Sequence, residues 1–318
     1  MNHLVWRLHR SQVSLAGVAL AALTVLLLIT GLVMAHDLHG FLASCAAARS
    51  CGSASQLFAG DSAVTSVVNA TMAVPLLFGL FWGAPLLARE FEDGTHSLAW
   101  TQGVTRRRWL SRNVLWALAA AVVWGAALAA LVTWWRSPEN AVGAPTRLAA
   151  FTFDIQGIAP VAYAVFAVAL GIAAGALFRR VLPAMAATFA VFTGLRFLIA
   201  EYARPHYLTP GSRSLAPFSD NAAPAGSLVL SNATLGPDGQ DYTAGLSIQE
   251  VPAACRGNGQ QGPALLNSCL ASHGFHTQIL YQPASRFWAF QGIEAGIFIV
   301  LAAALVAVAY RMVLTRDA

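Results

Sequence analysis

Charged residues are scarce in this sequence, and lysine is absent. Only 10% of the 318 residues are charged, whereas a soluble globular domain has about 25%. All 19 basic side chains are Arg, and they occur in short blocks beside apolar runs rather than along one polar face. The scarcity of charge excludes an ordinary soluble protein, and the placement of the arginines does not favour nucleic-acid binding. With 57% apolar residues, the composition predicts an integral membrane protein.

The sequence also lacks the common motifs of nucleotide and peptide hydrolysis. It contains no GxxxxGK(S/T) phosphate-binding loop, no HExxH zinc motif and no GxSxG nucleophile motif. Because the phosphate-binding loop is missing, we do not expect the chain itself to hydrolyse ATP. No catalytic residue, metal ion or cofactor is predicted for this chain.

Six apolar stretches are long enough to cross the hydrocarbon core of a membrane, which needs about 20 helical residues. They are residues 13–35, 62–88, 113–135, 155–178, 181–200 and 287–310. The stretches are continuously apolar rather than alternating, which favours helices over a β-barrel. The predicted fold class is therefore an all-α polytopic membrane protein with six transmembrane helices.

The arginines predict the orientation of these helices. Eleven arginines lie in the short segments on one side of the membrane: Arg7, Arg10, Arg89, Arg106, Arg107, Arg108, Arg112, Arg179, Arg180, Arg311 and Arg316. Seven lie in the much longer segments on the other side, and Arg196 lies inside the fifth stretch. Positively charged loops favour the cytoplasm. We therefore expect both termini to be cytoplasmic.

Residues 1–35 have a second interpretation, as a cleaved signal peptide. Val33 and Ala35 are small residues of the kind found before a cleavage site. The apolar run, however, is longer than the roughly 7–15 residues of a signal-peptide core. A retained first helix is the favoured interpretation.

The predicted topology divides the chain into three parts. Residues 1–200 hold helices one to five with a cytoplasmic loop at 89–112, and residues 287–318 hold the sixth helix and a cytoplasmic tail. Between them, residues 201–286 are punctuated by proline and include short runs at 227–230 and 278–281 that favour strands. We expect this part to be a small irregular or β-rich extracellular domain.

The four cysteines fit the same orientation. Cys45 and Cys51 fall in the first predicted external loop, and Cys255 and Cys269 fall in the last. Disulfides form outside the cytoplasm, and the local pairs Cys45–Cys51 and Cys255–Cys269 are favoured among three connectivities. Four unpaired thiols are the alternative. Cys255, Cys269, His273 and His276 also have the residue types of a metal site, but disulfide pairing is favoured over metal binding.

Two ionisable residues lie clearly inside the predicted spans. Arg196 and Glu294 are both near the external ends of their helices, at similar depths for a rise of 1.5 Å per residue, so we predict that they pair. Such a pair can position two helices, contact a substrate or act as a gate. Five of the six spans contain no Asp, Glu or His. This absence argues against a membrane-embedded enzyme.

Glycine and proline also carry information about the helices. Gly79 and Gly83 in the second span, and Gly171 and Gly175 in the fourth, have the spacing that lets helix backbones approach closely. Prolines that remove a backbone donor and can kink a helix occur at Pro75, Pro85, Pro160 and Pro183. Bent helices suit a protein that changes shape.

The loop at 89–112 is the most informative stretch. It begins with Glu90 and Glu92, continues through Gly94-Thr95, and reaches an apolar patch with Leu98 and Trp100. It ends in a basic block formed by Arg106, Arg107, Arg108 and Arg112. A short helix here would expose acids and aromatics to the cytoplasm while the basic block contacts anionic lipid. A plain hairpin on the membrane surface is the other interpretation.

This loop resembles the segment after the second helix in the permease subunits of type-2 ABC exporters. In that family two acids, Gly-Thr, a hydrophobic stretch and then Arg follow one another. Residues 203–210 and 282–291 are similar to stretches that flank the external loop of actinobacterial members. The six-helix layout extends the resemblance over most of the chain. The resemblance implies a multi-pass protein of the bacterial plasma membrane.

The resemblance also implies partners. Two copies of a separate ATPase subunit would bind ATP and Mg²⁺, and a second permease subunit would complete a homodimer or heterodimer. Residues 90–102 would dock on the ATPase, and the implied coupling residues are Glu90, Phe91, Glu92, Gly94, Thr95, Leu98 and Trp100. The basic block would anchor the loop to membrane lipid. No nucleic-acid partner is expected.

The implied function is export of an amphipathic drug, peptide or lipid. The predicted spans offer aromatic, aliphatic and small side chains with few polar groups, which suits such a substrate. An alternative from a different class is an ATPase-independent sensor or scaffold, which would use residues 201–286 to bind a ligand.

Overall fold

The structure, a computed structural model, describes residues 2–48, 62–93, 105–142, 146–219, 223–247, 249–256 and 262–315. Within these ranges six helices are long and apolar enough to cross a membrane: Gly17–Ala46, Ala63–Glu92, Arg107–Trp135, Ala159–Phe178, Val181–His206 and Ala284–Thr315. We call them the first to sixth spans. The six predicted helices are confirmed, each near its expected place in the chain.

Four of the spans are built on uninterrupted α-helices. The first lies within Asn2–Ala48, the third within Arg106–Trp135 and the fourth is Ala159–Phe178, while Phe287–Thr315 forms the sixth after a 3-10 turn at Ala284–Arg286. Two short helices, Ser137–Val142 and Ala150–Phe153, connect the third span to the fourth. The side chain of Thr105 accepts a hydrogen bond from the Arg108 N–H at 3.4 Å, so Thr105 caps the third helix.

The second and fifth spans are composite helices. The second consists of Ser62–Ala70, a 3-10 turn at Thr71–Ala73, Val74–Phe78, a π segment at Gly79–Gly83 and Ala84–Glu92. The fifth consists of Val181–Leu198, a π segment at Ile199–Ala203 and a 3-10 turn at Arg204–His206. The second span therefore changes its hydrogen-bonding pattern inside its predicted membrane stretch, and the fifth changes its pattern at the end of its predicted stretch.

The prolines explain only part of this irregularity. Pro75 follows the 3-10 turn of the second span, and Pro85 follows its π segment. Pro160 and Pro183, by contrast, lie in the first turns of their helices. A proline in the first turn removes an N–H that has no partner within the helix. Neither Pro160 nor Pro183 therefore interrupts the hydrogen bonding of its helix.

The fourth span forms the centre of the helical bundle. In its most apolar stretch 78% of the residues are buried, against 17–28% in the other five spans. It packs against the second, third, fifth and sixth spans, while the first span packs on the third. The outer spans expose large apolar side chains such as Leu182 and Val300, as expected of surfaces that face lipid.

The second and fourth spans touch through their backbones. A Cβ atom at Gly171 would lie 2.5 Å from both the Gly79 carbonyl oxygen and the Ala84 nitrogen, and a Cβ at Gly83 would lie 2.6 Å from the Val168 carbonyl oxygen. Real Cβ atoms do not approach backbone this closely. The predicted close approach at the two glycine pairs is confirmed.

The segment between the fifth and sixth spans contains a three-stranded antiparallel sheet. Its strands are β1 (Gly211–Leu215), β2 (Leu228–Leu235) and β3 (His276–Gln282), in the order β1-β3-β2. The register pairs Gly211 with Tyr281 and Leu235 with His276, and a bulge interrupts β2. The sheet confirms the expected strands in this part of the chain.

Two polar side chains, Gln282 and Arg286, fix the sheet to one end of the bundle. Gln282 Nε2, at the end of β3, donates hydrogen bonds to the carbonyl oxygens of Pro205 at 3.1 Å and Leu208 at 2.7 Å. Arg286 Nη1 donates to the Thr209 carbonyl oxygen at 2.6 Å. We call this end of the bundle the sheet end and the other the opposite end.

A disulfide joins Cys255, in the 3-10 turn Ala253–Cys255, to Cys269, in the helix Pro263–Ser272. Their Cα atoms are 5.7 Å apart, within the usual range. His273 Nδ1 lies 3.6 Å from Cys255 Sγ and 4.0 Å from Cys269 Sγ. Because the sulfurs are bonded to each other, neither offers a thiolate to a metal ion. Cys51 lies outside the described residues, so the predicted Cys45–Cys51 pair stays a prediction.

Replacing Gly171 by Ala should destabilise the bundle. The added methyl group meets backbone atoms, which cannot move aside, so we expect the free energy of unfolding to fall by roughly 1–3 kcal/mol. Gly194→Ala is the matched control, because nothing lies within 4 Å of its Cβ position in the fifth span. Thermal unfolding in mild detergent measures both variants. Equal stability of the two variants would contradict the backbone contact.

The Cys255–Cys269 disulfide can be tested by thiol labelling. In a Cys45→Ser, Cys51→Ser background, a maleimide reagent should modify the denatured, unreduced protein at neither remaining cysteine and the reduced protein at both. Reduction should also lower the free energy of unfolding by about 3 kcal/mol, the entropy of closing a loop of this length. Labelling without reductant would show that the bond is not formed.

Candidate functional site

Four charged side chains are buried together at the sheet end of the bundle. Asp154 follows the short helix Ala150–Phe153, Arg196 and Arg204 lie in the fifth span, and Glu294 lies in the sixth. Their exposure ranges from 0% for Glu294 to 9% for Arg196. Two positive and two negative groups make the set formally neutral. We call these four residues the charge network.

Arg204 is the centre of the charge network. Its Nη2 donates to Asp154 Oδ1 at 2.6 Å and to Glu294 Oε1 at 2.8 Å, and its Nε donates to Glu294 Oε2 at 2.9 Å. The other oxygen of Asp154, Oδ2, forms an ion pair with Arg196 Nη2 at 2.5 Å. Arg204 therefore links two acids from different elements, and Asp154 links two arginines of the same span.

The predicted direct pair between Arg196 and Glu294 is wrong. Arg196 pairs with Asp154, and Glu294 pairs with Arg204. The physical reason is that the fifth helix continues to His206, beyond its most apolar stretch, and so brings a second arginine into the bundle. Arg196 and Glu294 therefore belong to one network, but they are connected through Asp154 and Arg204, which hydropathy places outside the spans.

Aromatic side chains cover the charge network. The Arg196 guanidinium lies 3.6 Å from the Tyr163 ring centre, and that of Arg204 lies 4.1 Å from the Phe153 ring centre. Arg196 Nε and Nη1 and Arg204 Nη1 are buried without a hydrogen-bond partner. Stacking on aromatic rings compensates in part for this desolvation.

Two tyrosines complete the hydrogen bonding of Glu294. The Tyr163 hydroxyl donates to Oε1 at 2.5 Å, and the Tyr207 hydroxyl donates to Oε2 at 3.2 Å. Burial, together with the adjacent Glu294 carboxylate, raises the pKa of Tyr207 above its usual value. Tyr207 therefore keeps its proton and acts as a donor. Each oxygen of Glu294 accepts from both an arginine and a tyrosine.

Gln291 holds the beginning of the fourth span against the sixth. Its Oε1 accepts from the Ala159 N–H at 2.7 Å, and its Nε2 donates to the Phe153 carbonyl oxygen at 3.1 Å. A Cβ atom at Gly157, where φ is +73°, would lie 2.8 Å from the Gln291 side chain. Glycine is therefore required there, and the connection that carries Asp154 is fixed at both ends.

A second buried ion pair lies nearby, between the third and fourth spans. Arg136 Nη1 donates to Glu139 Oε2 at 2.6 Å, and Arg136 Nη2 donates to Asn69 Oδ1 at 2.9 Å. Burial raises the pKa of Glu139 despite the attraction of Arg136. The second and third spans are thus tied by polar contacts at the sheet end.

An apolar cleft borders the charge network. It lies among the second, third and fourth spans, and its lining residues include Thr71, Val74, Pro75, Phe78, Leu128, Ile155 and Ala164. Among the described residues that line the cleft, Asp154 is the one that carries a charge. The cleft therefore offers an aliphatic and aromatic surface with a polar group at its border.

The second span ends at Glu92, at the opposite end of the bundle. Glu90 is half-buried, whereas Glu92 is exposed. Glu92 Oε2 accepts from the Val181 N–H at 3.0 Å, and the Arg179 guanidinium lies 5.0 Å from the Phe91 ring centre. The start of the predicted docking segment thus contacts the turn between the fourth and fifth spans. Gly94, Thr95, Leu98 and Trp100 lie outside the described residues.

The predicted basic block lies at this same end. Arg106 is the first residue of the third helix, and the side chains of Arg107, Arg108 and Arg112 are exposed. Leu110, within this block, packs with Leu87 near the end of the second span. Exposed arginines and the carboxylate of Glu92 therefore share one surface of the protein.

Sequence reasoning missed Asp154, Arg204, Tyr163 and Gln291. The fourth predicted span begins just after Asp154, and the fifth ends before Arg204. Hydropathy therefore gives no reason to place either residue at the depth of Glu294. One signal was available. Arg204 precedes a proline, and a proline often marks a helix boundary, so a helix continuing past residue 200 as far as Arg204 was consistent with the sequence.

Neutralising one member of the charge network should lower the stability of the protein. Glu294→Gln leaves two arginines against one acid in a buried site, and we expect the free energy of unfolding to fall by about 3 kcal/mol. Glu201→Gln, at an exposed position in the same end of the fifth span, should change it by less than about 0.5 kcal/mol. Adding Arg204→Gln to Glu294→Gln should recover part of the loss. Thermal unfolding in detergent measures the stability of all three variants. A Glu294→Gln variant as stable as the original protein would contradict the predicted cost of an unpaired buried charge.

Comparison with known proteins identifies the family. A family model described as "ABC-2 membrane transporter related" matches residues 17–204, more than half of the chain. Neither a curated protein nor a solved structure shows a significant match. The matched range covers the first four spans, most of the fifth and the loop at 89–112, which carries the main part of the resemblance seen in the sequence. Most of the stretch at 203–210 and all of that at 282–291 lie beyond it. The chain belongs to the ABC-2 membrane transporter related family and is a multi-pass membrane component of a transport system.

Proposed function

We propose that the chain is the permease subunit of an ATP-driven exporter that moves an amphipathic drug, peptide or lipid out of a bacterial cell. The observation that carries the proposal is the family match over residues 17–204. Permeases of this kind work with a separate ATPase subunit, which would bind ATP and Mg²⁺. The missing phosphate-binding loop supports this division of labour.

The orientation that supports export places the opposite end of the bundle in the cytoplasm. Arg107, Arg108 and Arg112 are exposed at that end, where arginine is favoured on the cytoplasmic side of a membrane and attracts anionic lipid. The sheet end, with its disulfide, is then extracellular. Both termini are cytoplasmic in this arrangement.

Residues 90–102 are the proposed docking segment for the ATPase. Glu90 and Phe91 begin it at the end of the second span. Two ATPase copies closing on ATP would displace the docking segments of two permease subunits. Because the second span contacts the fourth through backbone atoms at Gly79 and Gly171, this displacement reaches the most buried helix of the bundle.

The apolar cleft and the charge network are the proposed parts of the export path. The cleft has an aliphatic and aromatic lining but room for only about one water molecule, so the surrounding spans would have to separate before it could accept the apolar part of a substrate. The charge network closes the extracellular end, where Arg196 and Glu294 would act as gate residues together with Asp154 and Arg204. Opening this end requires two arginines and two acids to separate or to move together.

Copurification tests the proposed function directly. The tagged chain, expressed in its native host and purified in mild detergent, should retain a P-loop ATPase at about one copy per permease. A pure chain without ATPase would contradict the proposal and favour a sensor or scaffold. Binding of a ligand to the extracellular domain would then be the function to test.

Glu90→Ala should weaken coupling without unfolding the subunit. Loss of one charge at a protein interface changes affinity by about tenfold, so ATPase activity stimulated by the permease should fall by about that factor at limiting ATPase concentration. Glu201→Ala is the matched control, because it removes an exposed carboxylate at the sheet end. Equal ATPase stimulation by the two variants would show that Glu90 does not contribute to docking.

A further inference from the structure

We infer that Glu92 is a positioning residue that caps the fifth span, tying the start of the docking segment to the turn between the fourth and fifth spans. Its effect on ATPase coupling rests on the proposed function, but the contact itself does not. The resemblance to ABC exporters implied that Glu92 docks on the ATPase. The geometry gives its carboxylate a partner within the chain.

The fifth span has no cap of its own. Val181 is the first residue of its helix, and the residue at the capping position, Arg180, makes no side-chain hydrogen bond to the helix. The first N–H groups of a helix have no partner within the helix, and a side-chain oxygen usually accepts from one of them. Glu92 Oε2 accepts the Val181 N–H at 3.0 Å. A residue of the second span therefore supplies the missing acceptor.

The charge of Glu92 suits this position. The N-terminus of a helix carries a partial positive charge, and a carboxylate near it is stabilising. The hydrogen bond, however, needs only an acceptor oxygen. A substitution that keeps an acceptor oxygen but removes the charge can therefore distinguish a hydrogen-bonding role of Glu92 from a purely ionic one.

A second contact fixes the same turn. Arg179 ends the fourth helix with φ at +54°, and its N–H donates to the Gly175 carbonyl oxygen. A left-handed conformation is uncommon for a residue other than glycine. The Arg179 guanidinium lies 5.0 Å from the Phe91 ring centre. Consecutive residues of the second span, Phe91 and Glu92, thus contact both sides of the turn.

Close packing behind these contacts leaves little freedom for independent movement. Ala84 and Ala88 of the second span, Ala174 of the fourth and Ala184 of the fifth form one buried cluster. A Cβ atom at Gly175 would lie 2.8 Å from the Ala84 carbonyl oxygen. Displacement of Glu92 should therefore carry the turn and the ends of both helices with it.

Four variants separate a cap from an ionic contact with the ATPase. Glu92→Ala removes acceptor and charge, whereas Glu92→Gln keeps an acceptor oxygen and removes only the charge. Val181→Pro removes the N–H at the first helical position, where proline is well tolerated, and Arg180 already has the extended conformation that a following proline requires. The fourth variant combines Glu92→Ala with Val181→Pro.

The measurements are the Tm in mild detergent and the ATPase activity stimulated by the purified permease. We expect Glu92→Ala to lower the Tm by about 2–4 °C and to lower the stimulated ATPase activity about fivefold. Glu92→Gln should retain most of the original Tm and most of the stimulated activity. In the Val181→Pro background, Glu92→Ala should have little further effect on Tm.

Two results would overturn the inference. One is an equal loss of stimulation in Glu92→Gln and Glu92→Ala with unchanged Tm, which would assign the carboxylate to the ATPase. The other is an effect of Glu92→Ala on Tm that is undiminished in the Val181→Pro background. If the native chain retains no ATPase, the proposed function fails, while the Tm comparison still decides whether Glu92 is a cap.

Discussion

The backbone contact between the second and fourth spans is the constraint on which the rest of the structure depends. In a membrane, helices gain nothing from leaving water, so association depends on close packing and polar contacts. At Gly79, Gly83 and Gly171 the two backbones are in direct contact, with no room for a side chain. The fourth span can therefore sit at the centre, with three other spans packed around it. A bulkier residue at this crossing would separate the central helix from the span that leads to the docking segment.

The central helix is held by polar contacts at both ends. At the sheet end, Gln291 accepts from the first N–H of the fourth span, and Asp154 just before it joins the charge network. At the opposite end, Glu92 and Phe91 hold the turn that follows it. Buried ion pairs add little net stability, but separating one partner is costly. The charge network therefore fixes the arrangement of helix ends more than it strengthens the fold.

The sequence predicts those features that depend on local composition. The six spans follow from apolar length, the Cys255–Cys269 pair from proximity in the chain, and the glycine contact from regular spacing. Features that depend on how distant segments meet are not accessible in this way. Asp154 has an unremarkable setting in the sequence, and its partners lie 42 or more positions away in the chain. The acceptor for the Val181 N–H likewise comes from another helix.

The π segment of the fifth span explains why ideal helix geometry fails to predict the charge network. Arg196 and Arg204 are eight positions apart, which on a regular α-helix turns them about 80° away from each other. One extra residue taken up by a π turn reduces this offset to about 20°. The π segment Ile199–Ala203 lies between the two arginines, and both reach Asp154. The wider turn therefore brings the two arginines close to one face of the span, and there a single carboxylate pairs with both of them.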